Sequence, residues 1–379
     1  MSSLILGEHR GYLADVARLA AYRAALQQVI RPGDVVLDLG SGTGVLGVLA
    51  CEAGAGRVYA VDTTSMVAVT RAVAAANDLS DRITVLRAHS LRVELPERVD
   101  VVVADQLGPL GVEAGMLEAY ADARRRHLKP GGILVPRRLD LVAAPVSSDD
   151  LWDEISFWDR PIDGIDVTAL RSIARNVRYY GTSSADDLLG APVVVGSVDP
   201  GDPAVANVRG VAELPIARAG TLHGIACWFS AELAEGISIS NSPADPDRLQ
   251  RKHAVLPVTD PIAVEAGDTV ELELEVAWPE QARWQVAVRT AGGEVRARSR
   301  HSTAEGTPLA REDLARTRPD HVPSLSPKGR ARADALTLID GEHTVADIEA
   351  QVWERHQDAF PSSSAAAAFV TELVARETD

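Results

Sequence analysis

Between residues 35 and 135 the chain alternates short, continuously apolar runs with longer helical ones, a pattern that few folds can accept. VVLDLG (35–40), RVYAVD (57–62), ITVLRA (83–88), VDVVVAD (99–105) and GGILVP (131–136) are rich in β-branched residues. An unbroken apolar strand belongs to a sheet buried on both faces, as parallel sheets are. The segments between them, TGVLGVLACEAG, TSMVAVTRAVAAAND and EAGMLEAYADARRRHL, read as helices. Strands alternating with helices predict right-handed βαβ units and an α/β, doubly wound, Rossmann-like sheet. Upstream, Leu13, Val16, Leu19, Ala20, Leu26 and Ile30 fall on one helical stripe that Pro32-Gly33 closes.

The character changes near Pro136. The run IAVEAGDTVELELEVAW (262–278) alternates apolar and polar residues around a turn at Ala266-Gly267-Asp268. HGIACWFSAEL and WQVAVRT read similarly, while LWDEISFWDRPIDGIDVTALRSIARN (151–176) interrupts them with a more helical, aromatic insert. The organisation expected is a first domain over 1–136, a β-rich, barrel-like domain over 137–300, a linker rich in Arg, Pro, Ser and Thr over 301–328, and a small helical domain over 329–379. In the last, Asp340-Gly341 marks a turn and Thr344 is placed to cap VADIEAQVWERH.

Composition narrows the function. A chain of 379 residues is long for one domain. With a formal charge of −16 it is a poor partner for nucleic-acid phosphate, whereas a basic peptide or amine suits it. Cys51 and Cys227 both sit in apolar runs, as buried thiols do in a reducing compartment. No Cys/His cluster has metal-ligand spacing, so no metal is expected. The start has no basic segment ahead of an apolar one, and no run reaches the ~20 apolar residues of a membrane span. The expectation is a cytoplasmic protein with no membrane association.

The strongest local signal is Asp38-Leu39-Gly40-Ser41-Gly42-Thr43-Gly44, between a strand and a helix. Glycines there allow a tight turn and close approach of backbone to a ligand. Asp62 ends the second strand, where a carboxylate can accept both hydroxyls of a ribose. Gly42, Gly44 and Gly47 also satisfy the dinucleotide pattern G-x-G-x-x-G. Two features argue against a dinucleotide: the glycine turn begins one residue early, and Asp38 would face a pyrophosphate. A ligand bearing an ammonium group welcomes that carboxylate. S-adenosylmethionine is such a ligand.

These stretches, with VYAVD, VDVVVADQLG and HLKPGGILVP, resemble the protein arginine N-methyltransferase family. The likeness extends upstream through GEHRGYLADVARLAAYR and downstream through FWDRPIDGIDVTALRSIA and LHGIACWFSAELAEGISISNSP, over about residues 7–290. It implies a Rossmann-like methyltransferase domain followed by a β-barrel-like one. It implies an S-adenosylmethionine site in which His9 and Arg18 close over the cofactor, Arg18 pairs its carboxylate, and Asp38, Gly40 and Gly42 form the methionine-binding turn. Asp62 stands where the family has a ribose-binding glutamate. His89 and Ser90 stand where adenine should sit, with Leu91 in place of an adenine-contacting glutamate. A homodimer is implied too, through an arm at about residues 165–195.

The acceptor loop departs from the family. Two glutamates that clamp a guanidinium are replaced by Asp105 and, counted without a gap, Ala114, with Glu113 one residue early. A family Thr-His-Trp loop gives way to about Leu249-Gln250-Arg251, which brings a cation. Asp105 and Glu113 are the candidate catalytic residues. A shortened, misregistered pair holds a guanidinium poorly and suits an ordinary amine. The tail resembles PqqD-like domains, which hold a leader peptide by strand addition to an exposed edge. The resulting expectation is N-methylation of a peptide amine, specifically the N-terminal α-amine of a ribosomally made peptide during maturation. An arginine methyltransferase and a non-catalytic, cofactor-binding peptide-docking subunit are the alternatives.

Overall fold

The computed structural model describes residues 3–378 apart from Ala114, Thr182, Ala206, residues 278–280 and Leu309. Two compact units divide the chain, residues 1–308 and 309–379.

The first unit opens with helices α1 (Ser3–Ala14) and α2 (Val16–Val29). The single stripe expected over 10–30 is broken at Asp15. Its carboxylate accepts the Arg18 amide at 3.1 Å and so caps α2. The register changes there: Leu13, Val16 and Ala20 are exposed, Leu26 and Ile30 are buried as the stripe requires, and Arg18, Tyr22 and Ala25 are buried with them. A helix that buries an arginine at the head of its apolar face is built around a site.

Five strands follow: β1 (Val35–Leu39), β2 (Arg57–Asp62), β3 (Ile83–Arg87), β4 (Val99–Ala104) and β5 (Leu128–Val135). Helices α3 (Val45–Glu52), α4 (Met66–Ala76) and α5 (Met116–Arg126) connect them. The sheet is all parallel in the order β3-β2-β1-β4-β5. Its middle strands are almost wholly buried, which is why they read as continuous apolar runs. The strand order reverses between β1 and β4, and ligands of open α/β sheets bind at the carboxyl ends of strands beside such a reversal.

β6 (Arg138–Val146) begins the antiparallel part. Helices α6 (Asp149–Ser156) and α7 (Arg171–Arg175) interrupt it before β7 (Tyr179–Gly181), β8 (Val193–Val198), β9 (Asn207–Pro215), β10 (Gly220–Ala234), β11 (Ile237–Ser240), β12 (His253–Val264), β13 (Thr269–Ala277), β14 (Gln281–Arg289) and β15 (Val295–Ser302). One sheet has the order β7-β12-β10-β6-β8 with β11 on β10, and the other β15-β14-β13-β9. One apolar core runs from the parallel sheet into both, joining Leu37 and Val102 to Leu139, Phe229 and Leu272. Cys51 and Cys227 are both buried and free.

The described residues of the second unit include the α-helices α8 (Arg311–Arg316), α9 (Pro327–Thr337), α10 (Val345–Arg355) and α11 (Ser363–Glu377). Helix α8 lies within the stretch expected to be linker. Thr344 caps α10 in a reciprocal box with Asp347. Ile348, Val352, Val370 and Phe360 belong to a core of this unit's own. The strand addition expected of the tail finds no support, because its described residues form no strand and so offer no sheet edge. Among the described residues, no helix is long and apolar enough to cross a membrane.

Candidate active site

The glycine turn follows β1 as the sequence required. Gly40 and Gly42 take φ of +68° and +53°, a region costly for any residue with a β-carbon. A β-carbon would also push side chains aside. One at Gly40 would collide with the Gln106 side chain, and one at Gly42 would lie 2.8 Å from His9 Cε1. His9 therefore packs directly over the turn.

Asp38 is fully buried at the end of β1. Its Oδ2 accepts the Gly47 amide in the first turn of α3, at 3.1 Å. Its Oδ1 is buried and has no partner, and the nearby Ser41 hydroxyl is in the same condition. Burial raises the Asp38 carboxyl to about 7, with the Gly47 bond opposing the shift. A buried oxygen without a donor is costly, and an ammonium ligand would relieve that cost.

Asp62 holds the turn from the other side. Its Oδ2 accepts the Gly42 amide at 2.9 Å, and its Oδ1 accepts the amide and hydroxyl of Thr64 at 2.8 and 2.7 Å. A cavity of about 350 Å³ opens here, lined by Gly40, Asp62, His89, Ser90, Gln106 and Glu118 among others. His89 Nδ1 accepts the Leu91 amide at 3.2 Å, which fixes its ring. Sequence reasoning missed Gln106 and Glu118. Gln106 adjoins Asp105, and Glu118 is the acid in the first turn of α5, so only their place in the fold marks them.

These groups fit S-adenosylmethionine. Asp38 Oδ1 would meet its ammonium, Asp62 its ribose, and His89 and Ser90 its adenine. Arg18 Nε donates to Asp105 Oδ2, and its Nη1 donates to the Tyr12 carbonyl at 3.3 Å. Burial works against the Arg18 charge, but Asp105 more than offsets it, and its pKa is raised. The pair forms because Tyr22, one turn along α2, donates its hydroxyl at 3.0 Å to the carbonyl of Ala104, the residue before Asp105.

The acceptor loop, 105–113, does not present Asp105 and Glu113 as a pair. Both oxygens of Glu113 accept the Leu110 amide, at 3.1 and 3.0 Å, and Oε1 faces Arg178 Nη1 at 3.6 Å. Burial raises its pKa against the opposing effects of Arg178 and the amides. Glu113 therefore pins the loop from inside. Ala114, the ungapped match to the second glutamate, lies outside the described residues. Asp105 meets a second guanidinium, Arg251 Nη2, at 3.5 Å, while its Oδ1 is buried without a partner. Asp15 ties these parts together, since its other oxygen accepts the Gln250 amide at 2.8 Å. Sequence reading missed Asp15, although an aspartate preceding a helix is a capping signal. Among the described residues no cluster of three or more His, Cys, Asp or Glu is placed to hold a metal.

A parallel sheet reversing at β1/β4, with an acid of spare capacity behind its glycine turn, defines the class of S-adenosylmethionine-dependent methyltransferases. Residues 23–136 match the ribosomal protein L11 methyltransferase family, and residues 138–289 match the arginine methyltransferase oligomerization subdomain. The chain is 32% identical to protein arginine N-methyltransferase 6 of Xenopus tropicalis, over 62% of its own length and 73% of the relative's. It is 34% identical to the probable protein arginine N-methyltransferase 6 of Arabidopsis thaliana, over 60% of its own length, and spans only 55% of that relative. In fold it is similar to the Trypanosoma brucei PRMT1 enzyme-prozyme heterotetrameric complex with AdoHcy, with a TM-score of 0.70 at 20% identity, covering 78% of this chain and 98% of that one. The chain belongs to the protein arginine N-methyltransferase family.

Proposed function

We propose that this protein methylates a nitrogen of arginine in a protein or peptide, using S-adenosylmethionine. The observation that carries the reading is Asp105 Oδ1, a buried carboxylate oxygen without a partner in the loop after β4. Asp105 already accommodates guanidinium groups, from Arg18 and Arg251. Bound S-adenosylmethionine supplies an electrophilic methyl on a sulfonium that departs as a neutral thioether. The protein's share is alignment and proton handling. Asp105 Oδ1 accepts a hydrogen bond from the acceptor nitrogen, turns its lone pair toward the methyl, and receives the proton released as the N–C bond forms. Gln106, packed on Gly40, couples this loop to the cofactor turn.

A second reading has one specific observation behind it. Glu113 is spent on Leu110 and Arg178, so the described loop offers one carboxylate where a guanidinium fork takes two. An α-amine needs only one, and with a reference pKa of about 8 it loses its proton far more easily. The free amino terminus of a peptide undergoing maturation fits that description. The match to the oligomerization subdomain supports a homodimer in either case.

The two readings separate in one assay. The full chain is given labelled S-adenosylmethionine with an N-acetylated arginine peptide or with an arginine-free peptide bearing a free terminus. Methylation of the first alone supports arginine as acceptor, and methylation of the second alone overturns it.

A further inference from the structure

The acceptor site already contains a guanidinium that belongs to the chain itself. Arg251 is mostly buried, with 13% of its side chain exposed. Its Nη1 donates to the Leu107 carbonyl, and its Nη2 faces Asp105 Oδ2 at 3.5 Å. The guanidinium carbon lies 5.4 Å from the centre of the Tyr12 ring and 5.9 Å from that of Phe229. A carboxylate, a backbone carbonyl and two aromatic faces are what a pocket needs to recognise an arginine.

The backbone below Arg251 is held firmly. The Gln250 amide donates to Asp15, the Leu249 amide to the Ser240 carbonyl, and Asn241 Nδ2 to the Lys252 carbonyl. Only the side chain is free to leave. Asp105 already balances Arg18, so a substrate arginine arriving beside Arg251 would place three guanidinium groups on one carboxylate. Like charges in a buried site repel strongly.

We infer that Arg251 is an internal occupant of the acceptor site, which must swing off Asp105 before a substrate arginine can bind and so sets acceptor selectivity. The inference rests on arginine as the acceptor, and it makes Arg251 a specificity-determining residue. A neutral amine needs no such displacement, since it can use Asp105 Oδ1 with Arg251 in place.

The test compares wild type, Arg251→Ala and Arg251→Gln as full chains saturated with S-adenosylhomocysteine. Calorimetry measures binding of an N-acetylated arginine peptide. Both variants are expected to bind it about tenfold tighter or better, with kcat/KM for that peptide rising mainly through KM. Turnover of the free-terminus peptide should not rise. The Gln variant can still donate to the Leu107 carbonyl, which guards against misfolding of the Ala variant. Unchanged or weaker peptide binding in the folded variants overturns the inference, and Arg251 then only ties two loops together. Wild-type methylation of the free-terminus peptide alone would overturn the acceptor assignment separately, because the binding comparison still decides the role of Arg251.

Discussion

Asp38 gives one carboxylate oxygen to the amide of Gly47, at 3.1 Å, and keeps the other buried without a donor. One residue therefore both satisfies an amide in the first turn of α3 and holds capacity in reserve for a cation. The reserve costs stability while the ligand is absent. Burial lifts the carboxyl to about 7, whereas in the unfolded chain it titrates near ~3.9.

The sign of the pH effect follows. Between those values the folded state holds more protons than the unfolded one, so stability without ligand falls as pH rises from about 4 to 7. Asp38→Asn keeps an acceptor for Gly47 and removes the charge. At pH 8 it should stabilise the free protein, on the order of 2 kcal/mol, and it should do so far less at pH 5. Denaturant melts at both pH values check this, and equal effects at both would contradict the burial argument.

The same residue should make cofactor binding pH-dependent. An ammonium group binds the ionised carboxylate, which dominates above pH 7 and is scarce below it. Affinity of the wild type for S-adenosylmethionine should fall about tenfold from pH 8 to pH 6. The Asn variant should bind weakly with a flat profile. A wild-type profile as flat as the variant's would remove Asp38 from the ammonium contact.

Glu113 is predicted to matter to the loop more than to the chemical step. Its removal by Glu113→Ala takes away the acceptor of the Leu110 amide and the carboxylate facing buried Arg178. Loss of one partner from a buried ionic contact costs about 3–5 kcal/mol. Glu113→Gln keeps an acceptor for the amide but not the charge, so it should recover only the part of the loss that the amide bond carries, about 1 kcal/mol. Thermal melts rank the two. If both fold as well as wild type yet lose turnover, Glu113 acts on substrate and not on the loop.

What the sequence made legible was whatever depends on local pattern. The parallel strands announced themselves because burial on both faces demands unbroken apolar runs, and Gly40 and Gly42 because the turn takes positive φ. Asp38 and Asp62 were legible from their places at strand ends. What depends on packing was hidden. The stripe through Leu13 and Val16 looked continuous, yet one cap at Asp15 shifted the buried face to Arg18 and Tyr22. The turning of Glu113 onto Leu110 and Arg178 could not be read, since residue 178 comes from a distant segment. The pairing of Arg18 with Asp105 was hidden too, since 87 residues of chain separate them. Caps and turns of the tail were visible, while its lack of a described sheet edge was not.

Asp15 links two parts of the site, and its replacement should show it. Asp15→Ala removes the α2 cap and the bond to Gln250 together. Cap loss costs about 1 kcal/mol, up to ~2, and the second bond adds to this. Asp15→Asn keeps an acceptor for the cap and should recover most of the stability. Because α2 carries Arg18 and the 249–251 segment carries Arg251, the Ala variant should also alter acceptor binding more than cofactor binding. Calorimetry with each ligand reads this split, and equal loss of both would mean a general loosening of the fold.

Residues 1–308 are expected to fold and to bind cofactor without the second unit. Residues 309–379 have their own core around Ile348, Val352, Phe360 and Val370, and the site described above lies wholly within 1–308. A chain ending at Pro308 should unfold cooperatively and bind S-adenosylmethionine within about threefold of the full chain. Short arginine peptides should be methylated equally by both forms. If the tail recruits substrate, the truncated chain should lose only the advantage of longer peptides, seen as a raised KM with kcat kept. A truncated protein that folds but no longer binds cofactor would show that the tail completes the site.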